Sequence, residues 1–194
     1  MRVKISDTPD HIPLILGDLL YCLRSSLDQT VWWLAKLSIP YPEGTQFPIL
    51  DKLDKQTSKT FAKYTEGVPS GAVRIIKSLQ PYHGVDPSAH LLWRLNRLCN
   101  IDKHRRIPVH RDELIVNFPQ MPKALSRFIE FNPQQQVVSV PLDLKSKMAF
   151  DPEAFFRVIF GDMSEGISCD FDGITEIYKF VTDSVIPRFA RFFA

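Results

Sequence analysis

The chain has 194 residues, 44% of them hydrophobic and 24% charged, with a formal net charge of +2. That length suits one domain with a core large enough to stand without staples, and so small a charge excess excludes any argument for a nucleic-acid partner from bulk charge. The three cysteines, Cys22, Cys99 and Cys169, are odd in number, far apart and free of any C-x-x-C spacing, so they read as buried thiols in a reducing compartment. The opening MRVKISDTPD lacks the apolar core of a signal peptide, and no apolar run approaches about 18 residues. A cytoplasmic protein with no membrane span is the expectation.

Residues 2–6 alternate polar and apolar, a short strand signal. Asp10 can cap a long helix over 12–37, because Leu16, Leu19, Leu20, Leu23, Leu27, Val31 and Leu34 recur at helical spacing. Residues 39–56 carry prolines and no period, and read as a loop. Short helices follow at TSKTFAKYTEG and SGAVRIIKSL, the second with Val73, Ile76 and Leu79 facing inward. Asp86-Pro87 signals the start of a helix over 87–105 that packs on the first. The runs ELIVNF, RFIEFN, QVVSVPL and FFRVIFG are strand-like and bounded by Pro, Asn and Gly. A last amphipathic helix carries Ile174, Ile177, Tyr178, Val181 and Val185, with Pro187 expected to kink or break it.

The fold class implied is α+β: a single domain over 1–194 that is mainly a helical bundle. Its core is 10–106, a small antiparallel sheet fills most of 107–161, and 171–194 completes the bundle.

The densest polar cluster is RLCNIDKHRR, residues 97–106, at the end of an apolar helix. Helical winding puts His90, Arg94, Arg97, Ile101 and His104 on one face, with Asn100 and Trp93 beside His104, roughly opposite Leu91, Leu92, Leu95, Leu98 and Cys99. Asp102 instead projects toward the apolar side, where a carboxylate must be paired or costly. Arg24 and Asp28, four apart on the first helix, offer partners: Arg24 for a buried Asp102, and Asp28 for Arg105 or Arg106. Together Arg24, Asp28 and Asp102 would form a polar lock between the helices.

Lys103, Arg105, Arg106 and Arg111 extend the cluster into a candidate RNA-binding patch. The same cations also suit the negative end of a helix dipole. A histidine beside an arginine suits proton transfer to and from a phosphate ester.

The segments GDLLYCLRSSLDQTVWWLA, FPI, LQPY and LLWRLNRLCNIDKHRR resemble a widespread group of uncharacterised bacterial proteins over about the first 110 residues. The helical part also resembles HEPN domains, helical bundles with an R-x4–6-H hallmark, many of them metal-independent ribonucleases of toxin–antitoxin and phage-defence systems. Arg97 to His104 fits as R-x6-H. Leu98 stands where those ribonucleases usually carry a polar residue.

The resemblance implies catalysis by Arg97, Asn100 and His104 without metal or other cofactor. It also implies RNA as substrate, an antitoxin-like protein as a partner, and a homodimer in which two motifs meet. The alternative is a non-catalytic protein-interaction module, in which residues 100–106 serve as a structural lock and the Trp32–Trp33 end meets another protein. Exposure of His104 separates the two. His83, His90, His104 and His110 show no zinc spacing, and the aromatic runs FFRVIFG and RFARFF read as core packing rather than base-stacking surfaces.

Overall fold

A computed structural model describes the backbone of residues 2–4, 11–117, 130–132, 137–139, 153–162, 164 and 166–193; side chains are described over 11–109 and, within those spans, from 158 onward. The chain is mainly helical and divides into two compact units: His11–Pro108 with Phe160–Ala194, and Met1–Asp10 with Val109–Ile159.

In the larger unit, α1 spans His11–Lys36. Leu16, Leu20, Leu23, Leu27, Val31 and Leu34 are buried at intervals of three and four, while Leu19 is only half-buried. The helix ends when the N–H groups of Ser38 and Ile39 both turn back to the Ala35 carbonyl, just before Pro40. Asp10, expected as its cap, lies outside the described residues. The stretch 39–54 has no regular structure, as its prolines predict. Helix α2 (Lys55–Tyr64) starts on a reciprocal cap: Asp54 accepts from the Thr57 N–H and Thr57 Oγ1 accepts from the Asp54 N–H, each at 2.8 Å. Helix α3 (Ser70–Ser78) buries Ala72 and Ile76.

The helix expected from residue 87 starts later. Asp86 and Pro87 open a single 3-10 turn, Pro87–Ala89, and the chain extends again at His90 (φ −75°, ψ 133°). Helix α4 then runs Leu91–His104, and His90 is its cap, with Nδ1 accepting from the Leu92 N–H at 3.1 Å. Helix α4 packs on α1, burying Leu92, Leu95, Leu98, Cys99 and Ile101. The two run antiparallel: Cys99 meets Leu20 and, one turn on, Asp102 meets Gly17.

Helix α5 (Phe171–Lys179) is capped by Asp170 and also packs on α4. Its axis widens into a π turn over Phe180–Val185 and tightens into a 3-10 turn over Ile186–Phe192. Pro187 supplies the reason, since it has no N–H to donate and its ring clashes with the preceding turn. Ile174, Ile177, Val181 and Val185 are buried as their spacing predicts, whereas Tyr178 faces solvent.

In the smaller unit, β1 (Arg2–Lys4) and β3 (Glu130–Asn132) flank β4 (Val137–Ser139) antiparallel, with Val138 opposite both Val3 and Phe131. Separately, β2 (Val109–Asn117) pairs with β5 (Glu153–Phe160). The remainder of RFIEFN and QVVSVPL lies outside the described residues, as do the side chains of His110 and Arg111.

The cap on α4 is expected to respond to pH. Burial holds the His90 imidazole below its ordinary value of 6.5, and its ring meets the Phe180 ring at 5.7 Å. A neutral Nδ1 accepts the Leu92 N–H; a protonated one cannot. Because the folded-state value is depressed, the contribution is fully present above about pH 6.5 and is lost as pH falls through the folded value. Thermal melts between pH 8 and 5 should show a decline that His90→Asn, which keeps a capping oxygen, flattens. An unchanged slope in that variant would exclude His90 as the source.

Candidate functional site

The polar residues of α1 hold the loop rather than α4. Asp28 Oδ1 accepts the Phe47 N–H at 2.8 Å, and Arg24 Nη2 donates to the Phe47 carbonyl at 2.8 Å. Arg24 and Asp28 also pair with each other at 3.0 Å. Both backbone groups of Phe47 are thereby satisfied, which lets its ring bury completely. Gln80, almost fully buried, grips the same strand of loop one step further on. Its Nε2 donates to the Pro48 and Ile76 carbonyls at 2.8 and 2.9 Å, and its Oε1 accepts the Leu50 N–H at 3.0 Å. The FPI and LQPY segments thus meet through Gln80.

Asp102 is placed differently from expectation. It is half-buried and makes no ion pair or hydrogen bond among the described residues, and Arg24 takes Asp28 and Phe47 as partners in its stead. Its carboxylate lies over the bare Cα of Gly17, where a β-carbon would come within 2.6 and 2.7 Å of its two oxygens. A glycine inside a helix costs about 1 kcal/mol against alanine; here it makes room for the carboxylate. Beside this contact is a cavity of about 110 Å³. Tyr21, Arg24, Ser25 and Asp28 line it from α1, and Cys99, Asp102 and Lys103 from α4. Burial pushes the Cys99 thiol up to about 11, and its sulfur donates to the Leu20 carbonyl at 3.4 Å, so it is a neutral wall group and not a nucleophile.

The end of α4 therefore has two polar faces. Cys99, Asp102 and Lys103 turn toward the cavity. Arg97, Asn100 and His104 share another face, with Arg97 and Asn100 half-buried and His104 exposed. No described residue bonds the His104 ring. Lys103 and Arg106 are exposed. Arg105 does not reach Asp28; it pairs with Asp162 at 2.7 Å. That partner is set by Gly161, whose φ of +122° and contact of a virtual β-carbon with the Ile167 carbonyl at 2.5 Å suit glycine alone.

Of the cysteines, Cys99 and Cys169 are buried as expected, but Cys22 is exposed. Trp33 is 51% exposed and Trp32 half-buried, their rings edge-on at 5.0 Å under the Lys36 ammonium. Among the described residues, no group of three or more His, Cys, Asp or Glu side chains is placed to hold a metal ion, and no helix is long and apolar enough to cross a membrane.

No family model, curated protein or solved structure matches the chain. Sequence reasoning missed the roles of Gly17, Phe47 and Gln80. A glycine in the middle of an otherwise strong helix was the available signal, because it needs a packing reason.

The Gly17–Asp102 contact can be measured by a double-mutant cycle. In an Asp102→Ala background, Gly17→Ala should gain about 1 kcal/mol from helix propensity. In the wild-type background the methyl meets the carboxylate, and the gain should vanish or reverse. Equal gains in urea unfolding of both backgrounds would contradict the contact.

Proposed function

We propose that this is a HEPN-like protein that binds RNA and cleaves it without a metal ion, its bundle elaborated by a small antiparallel sheet. The observation that carries the reading is the placement of His104: exposed, unbonded by any described residue, and on one helical face with Arg97 and Asn100. A histidine kept for structure is expected to be buried with its nitrogens bonded.

In the proposed chemistry, the His104 imidazole takes the proton of a ribose 2'-OH as the oxygen attacks the adjacent phosphate; the P–O5' bond breaks, leaving a 2',3'-cyclic phosphate, and the departing 5'-oxygen takes a proton from an acid. Arg97 stabilises the charge on the phosphorane, a contribution of about 3 kcal/mol for one such donor. Asn100 orients the strand, and Lys103 and Arg106 hold the phosphates on either side. Arg105 contributes less, because its guanidinium is engaged with Asp162. A homodimer that brings two such faces together would supply both an acid and a base. An antitoxin-like protein covering His104 would silence it.

The rival reading, a non-catalytic interaction module with residues 100–106 as a structural lock, is favoured at Arg105 by its pair with Asp162. The clamp on Phe47 is made by Arg24 and Asp28. Nothing in that clamp requires Asn100 or His104.

Single-stranded RNA incubated with the protein in excess chelator should be cut, and His104→Ala should abolish cutting while leaving the thermal melt within about 1 °C, as expected for an exposed residue away from any packing feature. Absence of both cleavage and salt-sensitive binding by the wild type would end this reading.

A further inference from the structure

We propose that the cavity between α1 and α4 is a guanine-binding pocket, in which Asp102 accepts from the two adjacent donors of the base's Watson–Crick edge, Lys103 donates to its 6-carbonyl, and Tyr21 stacks on its ring. The ligand class rests on the RNA reading above; the choice of base rests on the cavity itself.

The carboxylate of Asp102 is the starting point. It is half-buried, fixed over Gly17 and unused by any described residue, so a ligand with donors would find a pre-placed acceptor pair. Lys103, its neighbour in the same cavity, is an exposed cation. Tyr21 lines the cavity with 63% of its surface exposed, which leaves a ring face open for stacking. The ligand must therefore offer donors to one side, an acceptor next to them, and a π face.

The alternatives fail on charge or pattern. A free anion would meet both Asp28 and Asp102. A guanidinium would satisfy Asp102 but would face Lys103 and Arg24. Among the bases, adenine and cytosine place a ring-nitrogen acceptor beside their amino group, so a carboxylate would meet a lone pair. Uracil has one donor between two carbonyls. Guanine alone presents N1–H and the 2-amino group side by side, with the 6-carbonyl adjacent.

At about 110 Å³ and open to solvent, the cavity is smaller than the enclosed one of about 150 Å³ that takes benzene, so only the Watson–Crick edge of the base enters it and the rest of the nucleoside stays outside. Because Asp102 and His104 occupy opposite sides of the last turn of a helix about 10 Å across, a strand crossing that end would reach both.

The test uses nucleosides, which carry no phosphate for the basic cluster to hold. Guanosine, inosine and adenosine are titrated into the full chain by ligand-observed NMR. Guanosine should bind about tenfold tighter than inosine, which lacks the 2-amino donor, and tighter still than adenosine. Asp102→Asn should erase the preference with an unchanged melt. Equal binding of the three nucleosides, no binding of any, or a preference that survives Asp102→Asn would overturn the proposal.

Should Asp102→Asn lower the melting temperature, Tyr21→Ala and Lys103→Met, both at exposed residues, decide the matter: each should weaken guanosine severalfold, and unchanged affinity in both would overturn the assignment. RNA cleavage without guanosine preference would sink the pocket alone. Guanosine preference without RNA binding would sink the ribonuclease reading alone.

Discussion

Both backbone groups of Phe47 are held by side chains of α1, and the architecture of the larger unit depends on that clamp. The connection from α1 to α2 has no secondary structure to satisfy its own backbone. A buried segment of that kind would carry unmet N–H and C=O groups, each costing about 1–3 kcal/mol. Asp28 and Arg24 meet those of Phe47, and Gln80 meets the Pro48 carbonyl and the Leu50 N–H. Phe47 can then bury its ring completely, and the loop becomes part of the core. The Arg24–Asp28 pair is more than a surface salt bridge, because its strength is spent on fixing a peptide group in place.

This arrangement explains why Asp102 does not pair with Arg24. If Arg24 and Asp28 were the partners of Asp102 and Arg105, the whole cluster from Asn100 to Arg106 would read as a helix–helix lock. They are engaged elsewhere. The α1–α4 contact rests instead on apolar packing, on the Cys99 sulfur at the Leu20 carbonyl, and on the close approach at Gly17. Asp102, Lys103 and His104 are left with no described partner, on two sides of one helix end. Lys103 and His104 are exposed to solvent there, and Asp102 is half-buried beside the cavity.

Much of the bundle was legible in the sequence. The Leu stripe of α1, the apolar face of α4 and the Ile/Val stripe of α5 follow from period alone, because each buries one face against a neighbour. The break at Pro187 follows from the missing N–H. The start of α4 was misplaced because Asp86-Pro87 is an equally good opening for one 3-10 turn, and only the extended backbone of His90 separates that turn from the helix. The pairing of Arg24 was not legible, since a helical wheel shows which way a side chain points but not which loop returns to meet it. Tyr178 and Cys22 were placed inside by residue type and helix face, yet both are exposed at the edges of their stripes. The face shared by Arg97, Asn100 and His104 was readable from spacing; its exposure at His104 required coordinates.

The most direct measurement of the central claim, that the end of α4 carrying His104 receives RNA while the clamp on Phe47 holds the loop, is an NMR titration of the full chain with a single-stranded RNA oligonucleotide. The account predicts that the His104 imidazole and the side chains of Arg97, Asn100 and Lys103 shift or broaden as RNA is added, while the Gln80 amide and the Phe47 N–H stay fixed. Movement confined to the clamp residues, or no movement at His104 at saturating RNA, would contradict it.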